Sequence, residues 1–366
     1  MRCVPVLDFT SALYLGLRHP SPSLRSWSEL TTGKPAALES PPLSTAIAGR
    51  FAALVGCESA VPIASTLHLF WDLFGLLASD WERIYMDEGT YAIARWGVER
   101  AAARGVPVRR FPHHDVAALS TLIGQDRRSS QRPVVVADGF CPICGNQAPV
   151  AEFLQCVAPL GGHVVLDDTQ ALGVFGEQVG TPYGRGGGGS LRWQGVNSSN
   201  VIVGSSLAKA FGVPMAMLAG SAAMIRRFEL QSETRVHCSP PSVASFYAAE
   251  HALALNRTHG DRLRRHLAQL VRQFRAGLRA LGIVADGGLF PVQALRPAGV
   301  AAEALHGRLL RLGIRSILIR RCREIGARVA FLITVLHRPS DIDQAVEAIG
   351  RAMTFDPFTQ VTARAS

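Results

Sequence analysis

Two stretches near the middle of the chain decide the fold: residues 163–177 read HVVLDDTQALGVFGE, and residues 200–212 read NVIVGSSLAKAFG. Each begins with a short apolar run rich in valine, which is typical of a strand buried in a parallel sheet. Polar residues follow each run, with Asp167 after the first and Lys209 after the second. Ligands of open α/β sheets bind at the carboxyl ends of the strands, so we expect this aspartate and this lysine at one edge of a sheet.

The same alternation extends toward the N-terminus. Short apolar runs are separated by amphipathic segments that suit helices, and this order predicts a doubly wound, mostly parallel α/β sheet. One of these runs ends at Asp138, which adds a second carboxylate to the predicted edge. The strand candidates are Arg83–Met86, Val108–Phe111, Val134–Ala137, His163–Leu166 and Asn200–Gly204.

The pattern changes after residue 245, and a chain of 366 residues is long enough for two domains. Long arginine-rich helical stretches precede two strand candidates, Ile314–Ile319 and Arg328–Thr334, and a final helix for which Ser340 is the predicted N-cap. The predicted domains are a large α/β domain over 46–245, a smaller α+β domain over 246–366, and an N-terminal segment, 1–45, that packs with the smaller domain.

The net charge is +10 and the isoelectric point is about 9.8, with arginine supplying nearly all of the excess. A basic surface attracts nucleic acid, anionic membranes or phosphorylated ligands. The sequence carries no nucleic-acid-binding motif and no apolar run as long as a membrane span, and its N-terminus does not have the pattern of a signal peptide. We therefore expect a cytoplasmic protein without nucleic-acid or membrane partners. Two interpretations of the positive charge stay open. The protein has a basic surface without a specific partner, or the charge attracts coenzyme A or an acidic carrier protein.

Two further motifs carry no predicted chemistry. Cys141 and Cys144 form one CxxC pair, and no second pair completes a zinc site, so no metal site is predicted. The glycine-rich stretch Gly184–Gly189 lacks the Lys-Ser/Thr ending of a P-loop, and we expect it to be a flexible surface loop.

The predicted edge has the groups that pyridoxal phosphate (PLP) chemistry requires. A lysine amine must form an imine with the cofactor, and a carboxylate must keep its pyridine nitrogen protonated. Hydroxyls and helix N-terminal amides must hold its phosphate. Asp167, Lys209 and Ser206 match this set, although spacing alone also allows them to be the polar ends of structural strands.

The residues of these two motifs also resemble those of a known protein family. VVLDDTQALGVFGE resembles the cofactor-aspartate motif of the α-oxoamine synthases, and VGSSLAKAFG resembles their Schiff-base lysine motif. The segments DFTSALYLGLRHP, VADGFCPICGNQAPV, HCSPPSVAS and ARVAFLITVLHRPSDID are similar to further parts of that family, so the likeness covers nearly the whole chain. The resemblance implies the PLP-dependent transferase fold of aspartate aminotransferase, fold type I.

It also implies roles for residues that bind the cofactor. Lys209 would form the Schiff base, Asp167 would pair with the pyridine nitrogen, and Ser206 would contact the phosphate. Ser65 and Thr66 match the phosphate-binding turn at the start of a helix, although the family usually has a glycine there.

Family members are homodimers with active sites at the subunit interface. The resemblance therefore implies a dimer in which Ser239 reaches the phosphate bound by the partner subunit.

The chain departs from the family at two cofactor positions. Tyr91 stands where the family has a histidine stacked on the cofactor, so stacking is kept while the imidazole is lost. Gln170 replaces the histidine three residues after the cofactor aspartate, and its amide can still donate to the phenolic oxygen of the cofactor.

Two more departures affect the expected substrate pocket. Ala12 replaces an asparagine near the substrate, and Ala330 replaces the arginine that grips the substrate carboxylate. Either this pocket no longer binds a carboxylate, or Arg328 or an arginine of the 320–323 cluster takes over from a shifted position.

Three functions follow as hypotheses. The first is a PLP-dependent acyltransferase of the α-oxoamine synthase type, which forms an external aldimine with an amine and takes an acyl group from a thioester of coenzyme A or a carrier protein. The second is an aminotransferase, for which Tyr91 and Gln170 are suitable replacements. The third is a catalytically idle PLP-fold protein that only binds its ligands.

Overall fold

The computed structural model describes residues 6–78, 82–126, 131–295, 300–319 and 326–354. The chain divides into two compact units. The larger comprises residues 15–141 and 146–265, and the smaller comprises 1–14, 142–145 and 266–366.

The strands of the described residues are numbered in chain order. They are β1 (Leu7–Asp8), β2 (Ser59–Ile63), β3 (Glu82–Asp87), β4 (Val108–Phe111), β5 (Arg132–Asp138), β6 (Phe140–Cys141), β7 (Asn146–Gln147), β8 (His163–Asp167), β9 (Val201–Ser206), β10 (Ala216–Gly220), β11 (Ala285–Asp286), β12 (Val292–Leu295), β13 (Ile314–Arg315), β14 (Ile317–Ile319) and β15 (Arg328–Leu332).

The helices are numbered in the same way. They are α1 (Ser44–Val55), α2 (Thr66–Leu77), α3 (Ala92–Ala103), α4 (Val116–Gln125), α5 (Val150–Val157), α6 (Ser190–Gln194), α7 (Ala222–Gln231), α8 (Glu233–His237), α9 (Val243–Ala280), α10 (Ala302–Arg311) and α11 (Pro339–Met353).

A seven-stranded sheet in the order β2-β10-β9-β8-β5-β3-β4 is the centre of the larger unit. Its strands run parallel except β10, which is antiparallel to both of its neighbours. Apolar side chains of α2, α3 and α7 pack on one face, and those of α4, α5 and α6 pack on the other. Helices on both faces of a mostly parallel sheet confirm the predicted doubly wound α/β architecture.

The five predicted strands of this sheet are confirmed, with ends that differ by no more than two residues. The sequence analysis missed β2 and β10, which lie together at one side of the sheet. The reason for β2 is that Pro62 interrupts its apolar run, and proline usually counts against a strand. The run of β10 ends in glycine and is only five residues long, so its strand signal is weak.

The smaller unit contains a four-stranded antiparallel sheet in the order β11-β12-β15-β14, on which α10 packs. The single strand predicted over Ile314–Ile319 is two short strands, because Ser316 lies between β13 and β14 and the two join different sheets. The prediction of Ser340 as an N-cap is wrong. Helix α11 begins at Pro339, and the Asp341 carboxylate accepts a hydrogen bond of 2.8 Å from the N–H of the N-cap residue, Arg338.

The division between the units falls within α9, which runs without interruption from Val243 to Ala280. The predicted boundary at residue 245 lies near the start of this helix, and the predicted boundary at residue 45 lies inside the larger unit. The domain limits inferred from the sequence therefore stay a prediction. Among the described residues, none of the helices combines the length and the apolar character that crossing a membrane requires.

Candidate active site

Two aspartates lie side by side where β5 and β8 end. The strands pair in parallel register so that Asp138 is opposite Asp167, and Asp167 is in turn opposite Gly204 of β9. Lys209 follows β9 three residues after the strand ends. The edge predicted from the apolar runs is therefore present in the larger unit, and the Asp167 side chain is buried there.

Burial and charge shift the pKa values of all three groups. Burial raises the pKa of Asp167, while hydrogen bonds from Thr169 and the charge of Lys209 act in the opposite direction. The pKa of Asp138 is well above its ordinary value because loss of hydration disfavours its charged form and the charge of Asp167 lies nearby. Burial lowers the pKa of Lys209 against the attraction of both carboxylates. A lysine with a lowered pKa is more often in the neutral form that attacks a carbonyl.

Thr169 connects the aspartate to the strand that precedes the lysine. Its backbone N–H donates to Asp167 Oδ1 at 3.1 Å, and its Oγ1 accepts a hydrogen bond of 2.9 Å from the N–H of Ser206. The Ser206 Oγ itself accepts a hydrogen bond of 3.2 Å from the N–H of Ala208. Sequence reasoning missed Thr169, although an aspartate side chain commonly accepts a hydrogen bond from the backbone N–H two residues further on.

Asp168 is buried behind this edge and is held by the glycine-rich stretch. Its Oδ2 accepts a hydrogen bond of 2.9 Å from the N–H of Ser190, and burial raises the pKa of the carboxyl to about 7. The carbonyl of Gly187 accepts a hydrogen bond from the N–H of Gly173, and the N–H of Gly189 donates one to the carbonyl of Phe175.

The expectation that residues 184–189 form a flexible surface loop is therefore wrong. Four of these glycines are buried, and Gly187 has a φ of 74°, a left-handed conformation that favours glycine.

Tyr91 is the N-cap residue of α3, and its side chain is 60% exposed. Its backbone N–H donates to Asp138 Oδ1 at 3.0 Å, which ties the start of α3 to the edge of the sheet. Gln170 lies in the turn that follows Asp167 and is half-buried.

A buried ion pair supports the turn that leads to Tyr91. Asp87 Oδ1 contacts His113 Nδ1 at 2.7 Å and accepts a hydrogen bond of 2.6 Å from the N–H of Gly89. Burial acts to lower the pKa of His113, but the hydrogen bonds and charges of Asp87 and Cys141 together outweigh it and raise the pKa to about 10.

Asp87, His113 and His114 bring possible metal-ligating atoms within 4.8 Å of one another. A second such group consists of His113, Cys141 and Cys144. The expectation that the chain holds no metal therefore stays a prediction.

The expected phosphate turn is the start of α2. Ser65 is the N-cap of this helix, and its Oγ accepts a hydrogen bond of 3.3 Å from the N–H of His68. The first N–H groups of a helix, here those of Thr66 and Leu67, have no acceptor within the helix and can bind an anion. Ser239 is exposed and lines a small cleft together with Ala64 and His68.

The residues expected to contact the substrate lie in the smaller unit. Ala330 is in the middle of β15, opposite Ala294 and Ile317, and is fully buried. The Ala12 side chain is half-buried in the N-terminal segment. Arg328 is buried, and its Nη1 forms an ion pair of 2.5 Å with Asp286. Arg328 is the residue expected as a possible replacement for the carboxylate-binding arginine, and this contact engages its guanidinium. The alternative arginines of the 320–323 cluster lie outside the described residues.

The model of the family described as aminotransferase class I and II matches residues 58–349. The chain belongs to this family.

Curated relatives narrow the likeness within the aminotransferase family. An 8-amino-7-oxononanoate synthase from Alkalilimnicola ehrlichii is 30% identical over 262 residues, which cover 70% of this chain and 64% of that protein. The chain thus spans less than two thirds of the length of the curated relatives that it matches first. These relatives confirm the resemblance to α-oxoamine synthases that the motifs predicted.

Solved structures agree on the fold. A serine palmitoyltransferase variant from S. paucimobilis, with a bound PLP–myriocin aldimine, superposes with a TM-score of 0.81 at 17% identity, covering 95% of this chain and 87% of that chain. An 8-amino-7-oxononanoate synthase from Francisella tularensis superposes with a TM-score of 0.74 at 18% identity, covering 94% and 97%. The predicted transferase fold is confirmed, and at these identities the likeness concerns the fold alone.

Proposed function

We propose that the protein is a PLP-dependent transferase of the α-oxoamine synthase type. It would join an amine substrate to an acyl group taken from a thioester of coenzyme A or a carrier protein. The observation that carries this proposal is that Asp167 lies at the carboxyl edge of the seven-stranded sheet beside the strand that leads to Lys209. Its carboxylate interacts electrostatically with Lys209, whose pKa is lowered by burial.

The lysine content of the chain strengthens the assignment. Only two lysines, Lys34 and Lys209, occur among the 38 basic residues. Lys34 is exposed and forms an ion pair with Glu39, which raises its pKa through their hydrogen bond. A protonated, exposed amine is a poor nucleophile, so Lys209 is the one lysine of the sequence that suits covalent attachment of an aldehyde cofactor.

The side chains at the edge fit PLP. Lys209 would hold the cofactor covalently, Asp167 would pair with its pyridine nitrogen, and Ser206 with the N-terminal amides of α2 would bind its phosphate. A buried carboxylate beside a cationic ring nitrogen makes a charge-assisted hydrogen bond, which lowers the cost of burying Asp167. When bound, PLP supplies an electron-poor ring that stabilises negative charge on the carbon next to the substrate amine.

The chain's own residues then move protons and exclude water. Lys209, once its amine is released, takes a proton from the substrate carbon, a role for which the lowered pKa prepares it. Thr169 holds Asp167 in place through its backbone N–H. Tyr91 would stack on the cofactor and supplies no imidazole at that position, while the amide of Gln170 would donate to the phenolic oxygen of the cofactor.

The altered substrate positions define the amine more closely. With alanine at positions 12 and 330, and with Arg328 engaged by Asp286, the residues that hold the substrate carboxylate in the α-oxoamine synthases have no charged counterpart among the described residues. The proposed amine therefore lacks a free α-carboxylate or carries it in neutral form, as an amide or ester.

An aminotransferase is the second candidate, and one observation favours it. Tyr91 replaces the histidine of the acyl-transferring family, so the imidazole that serves there as an acid or base is missing. Consumption of a thioester with release of its thiol would support acyl transfer, whereas turnover that requires a keto acid would support transamination.

We also propose a homodimer, in which Ser239 of each protomer reaches the cofactor phosphate of its partner. Helices α2 and α3 pack together and expose Leu67, Trp71 and Trp96, with Tyr91 at the start of α3. An aromatic surface of this kind is typical of a protein–protein interface. Sedimentation of the purified protein at several concentrations tests the dimer.

The decisive experiment loads the protein with PLP and reduces it with borohydride. The cofactor is expected on the peptide that contains Lys209, and Lys209→Ala should abolish both the covalent label and turnover. Lys34→Ala is the matched control, because it removes the other lysine and should leave both unchanged. A label on Lys34, or no cofactor on the wild-type protein, would contradict the proposal. Labelled protein that turns over none of the amines, thioesters or keto acids would favour a protein that only binds.

A further inference from the structure

A second candidate ligand site lies within the larger unit. It is a cleft of about 290 Å³ between helix α9 and the hairpin over residues 177–185, in which Glu177 and Arg185 form an antiparallel bridge. The charged residues in the walls of this arginine cleft are Arg185, Asp261, Arg264 and Arg265. The residues assigned to the cofactor and to the amine substrate are not among them.

Positive charge dominates the arginine cleft. Three guanidinium groups face a single carboxylate, so the lining has a formal excess of two positive charges. The charge of Arg264 is neutralised by Asp261, whose Oδ1 accepts hydrogen bonds of 2.7 and 3.2 Å from that guanidinium. Asp261 also attracts Arg185 electrostatically. The net positive excess therefore lies on the two exposed arginines, Arg185 and Arg265.

These two arginines have donors to spare. In the part of the chain that the structure describes, the exposed Arg185 side chain has no hydrogen bond or ion pair. Arg265 makes one long contact, 3.4 Å from its Nε to the carbonyl of Asp261, which leaves both terminal nitrogens of its guanidinium available.

The base of the arginine cleft is rigid, unlike its two exposed arginines. Arg264 is 2% exposed, and its Nη1 donates to the carbonyl of Gly173 at 2.9 Å and to Asn256 Oδ1 at 2.8 Å. Asp261 also accepts a hydrogen bond of 3.0 Å from the N–H of Gly186. The hairpin and the helix are thus fixed to each other before any ligand binds, which reduces the entropy lost on binding.

We propose that the arginine cleft binds the phosphate group of a small molecule. A phosphate dianion matches the net excess of two positive charges, and guanidinium groups bind phosphate oxygens through paired hydrogen bonds. The volume is at the lower limit of pockets that hold small organic ligands, about 300–1,000 Å³, so the ligand is inorganic phosphate or a short phosphate monoester.

Calorimetric titration of the PLP-loaded, borohydride-reduced protein tests this site, because the cofactor then fills its own phosphate site. The probes are inorganic phosphate and glycerol 3-phosphate at constant ionic strength. Arg185→Gln and Arg265→Gln should each weaken binding about tenfold or more. Arg226→Gln on α7 removes another exposed arginine and should leave binding unchanged.

Tighter binding of glycerol 3-phosphate than of inorganic phosphate would identify a monoester as the ligand, and equal binding would identify the phosphate group alone. No heat of binding for the wild-type protein, or equal affinities for the wild-type and the two cleft variants, would overturn the proposal. Because neither arginine is assigned to PLP, protein that failed to take up the cofactor should still bind phosphate here, so the two proposals fail separately.

Discussion

The carboxyl edge of the seven-stranded sheet and the centre of the four-stranded sheet differ in the charged groups that they contain. At the edge, Asp138, Asp167 and Lys209 are close enough to shift one another's pKa values. In the four-stranded sheet, Ala330 lies between apolar neighbours, and Arg328 is paired with Asp286.

Burying a charge is costly unless the charge is paired. Buried groups with mutually shifted pKa values are typical of a functional site, whereas Arg328 has an ion-pair partner within the fold. This difference is consistent with our proposal that the chain keeps the cofactor site of the family and has lost its substrate-carboxylate site.

The largest expected effect concerns the first region. Asp167→Asn replaces the carboxylate with a neutral amide of the same shape, so the cofactor ring nitrogen loses the group that keeps it protonated. Turnover should fall by orders of magnitude while the covalent attachment to Lys209 persists. Steady-state kinetics and the cofactor's absorption spectrum measure the two effects.

The neighbouring carboxyl provides the control for that substitution. Asp168→Asn changes an adjacent buried group that bonds to Ser190 and not to the lysine edge. Near-normal turnover of Asp167→Asn together with an inactive Asp168→Asn would show that the two aspartates have been assigned in the wrong order.

The next effect tests the second region. Hydrogen bonds to a charged group contribute about 1.5–3 kcal/mol each. Without an arginine clamp and an asparagine contact, a free amino acid should lose roughly two or more decades of affinity, at about 1.4 kcal/mol per decade. Alaninamide is therefore expected to bind the PLP-loaded protein more tightly than alanine in a spectral titration.

Tighter binding of alanine, glycine or serine would mean that a charged clamp exists. Arg328→Gln would then identify or exclude that residue, because a clamp variant loses affinity for alanine alone. An arginine at position 330 is a poor test, since that side chain is fully buried and the substitution would overpack the core.

A smaller effect distinguishes the ion pairs of the two regions by pH. The pKa of His113 in the folded protein is about 10, above its ordinary value of 6.5. Its contribution to stability is thus fully present below about pH 6.5 and is lost as the pH rises through about 10. His113→Asn should destabilise the protein by about 1.5–3 kcal/mol near pH 6, and the difference from wild type should shrink as the pH rises through about 10.

Urea unfolding across this pH range measures the difference. Arg328→Gln is the matched control, because a guanidinium remains charged throughout and its deficit should not follow the same course. A His113→Asn deficit that is independent of pH would mean that the imidazole acts by packing alone.

Sequence reasoning located the edge residues because their signals are local. A strand that ends in aspartate and another that leads to lysine can be recognised from apolar runs, and parallel pairing then brings their ends together. The support around them depends on residues far apart in the chain. Asp87 and His113 are 26 residues apart, and Asp168 meets Ser190 across 22 residues, so no spacing rule predicts either contact.

Distant contacts also explain why the rigidity of the glycine-rich stretch, residues 184–189, could not be predicted from its sequence. Its composition is typical of a flexible loop, but contacts with Asp261 and Asn256 of α9 fix it in place. The fold class could be predicted because strand and helix periodicity repeats over the chain. The rigidity of one loop could not, because it depends on a helix more than 65 residues away.

The smallest expected effect tests how Tyr91 contributes to the first region. Its backbone is fixed by the hydrogen bond to Asp138, while its side chain is 60% exposed in the protomer. An exposed ring at the edge of the site can stack on the cofactor without moving the helix that carries it. Tyr91→Phe should keep most of the PLP affinity, and Tyr91→Ala should lose roughly 0.5–1.5 kcal/mol beyond the loss of buried area. Fluorescence titration of the apoprotein with PLP measures both, and equal affinities for the two variants would assign the cofactor face to another group. If both variants bind PLP normally but sediment as monomers, the exposed ring belongs to the dimer surface of α2 and α3 instead.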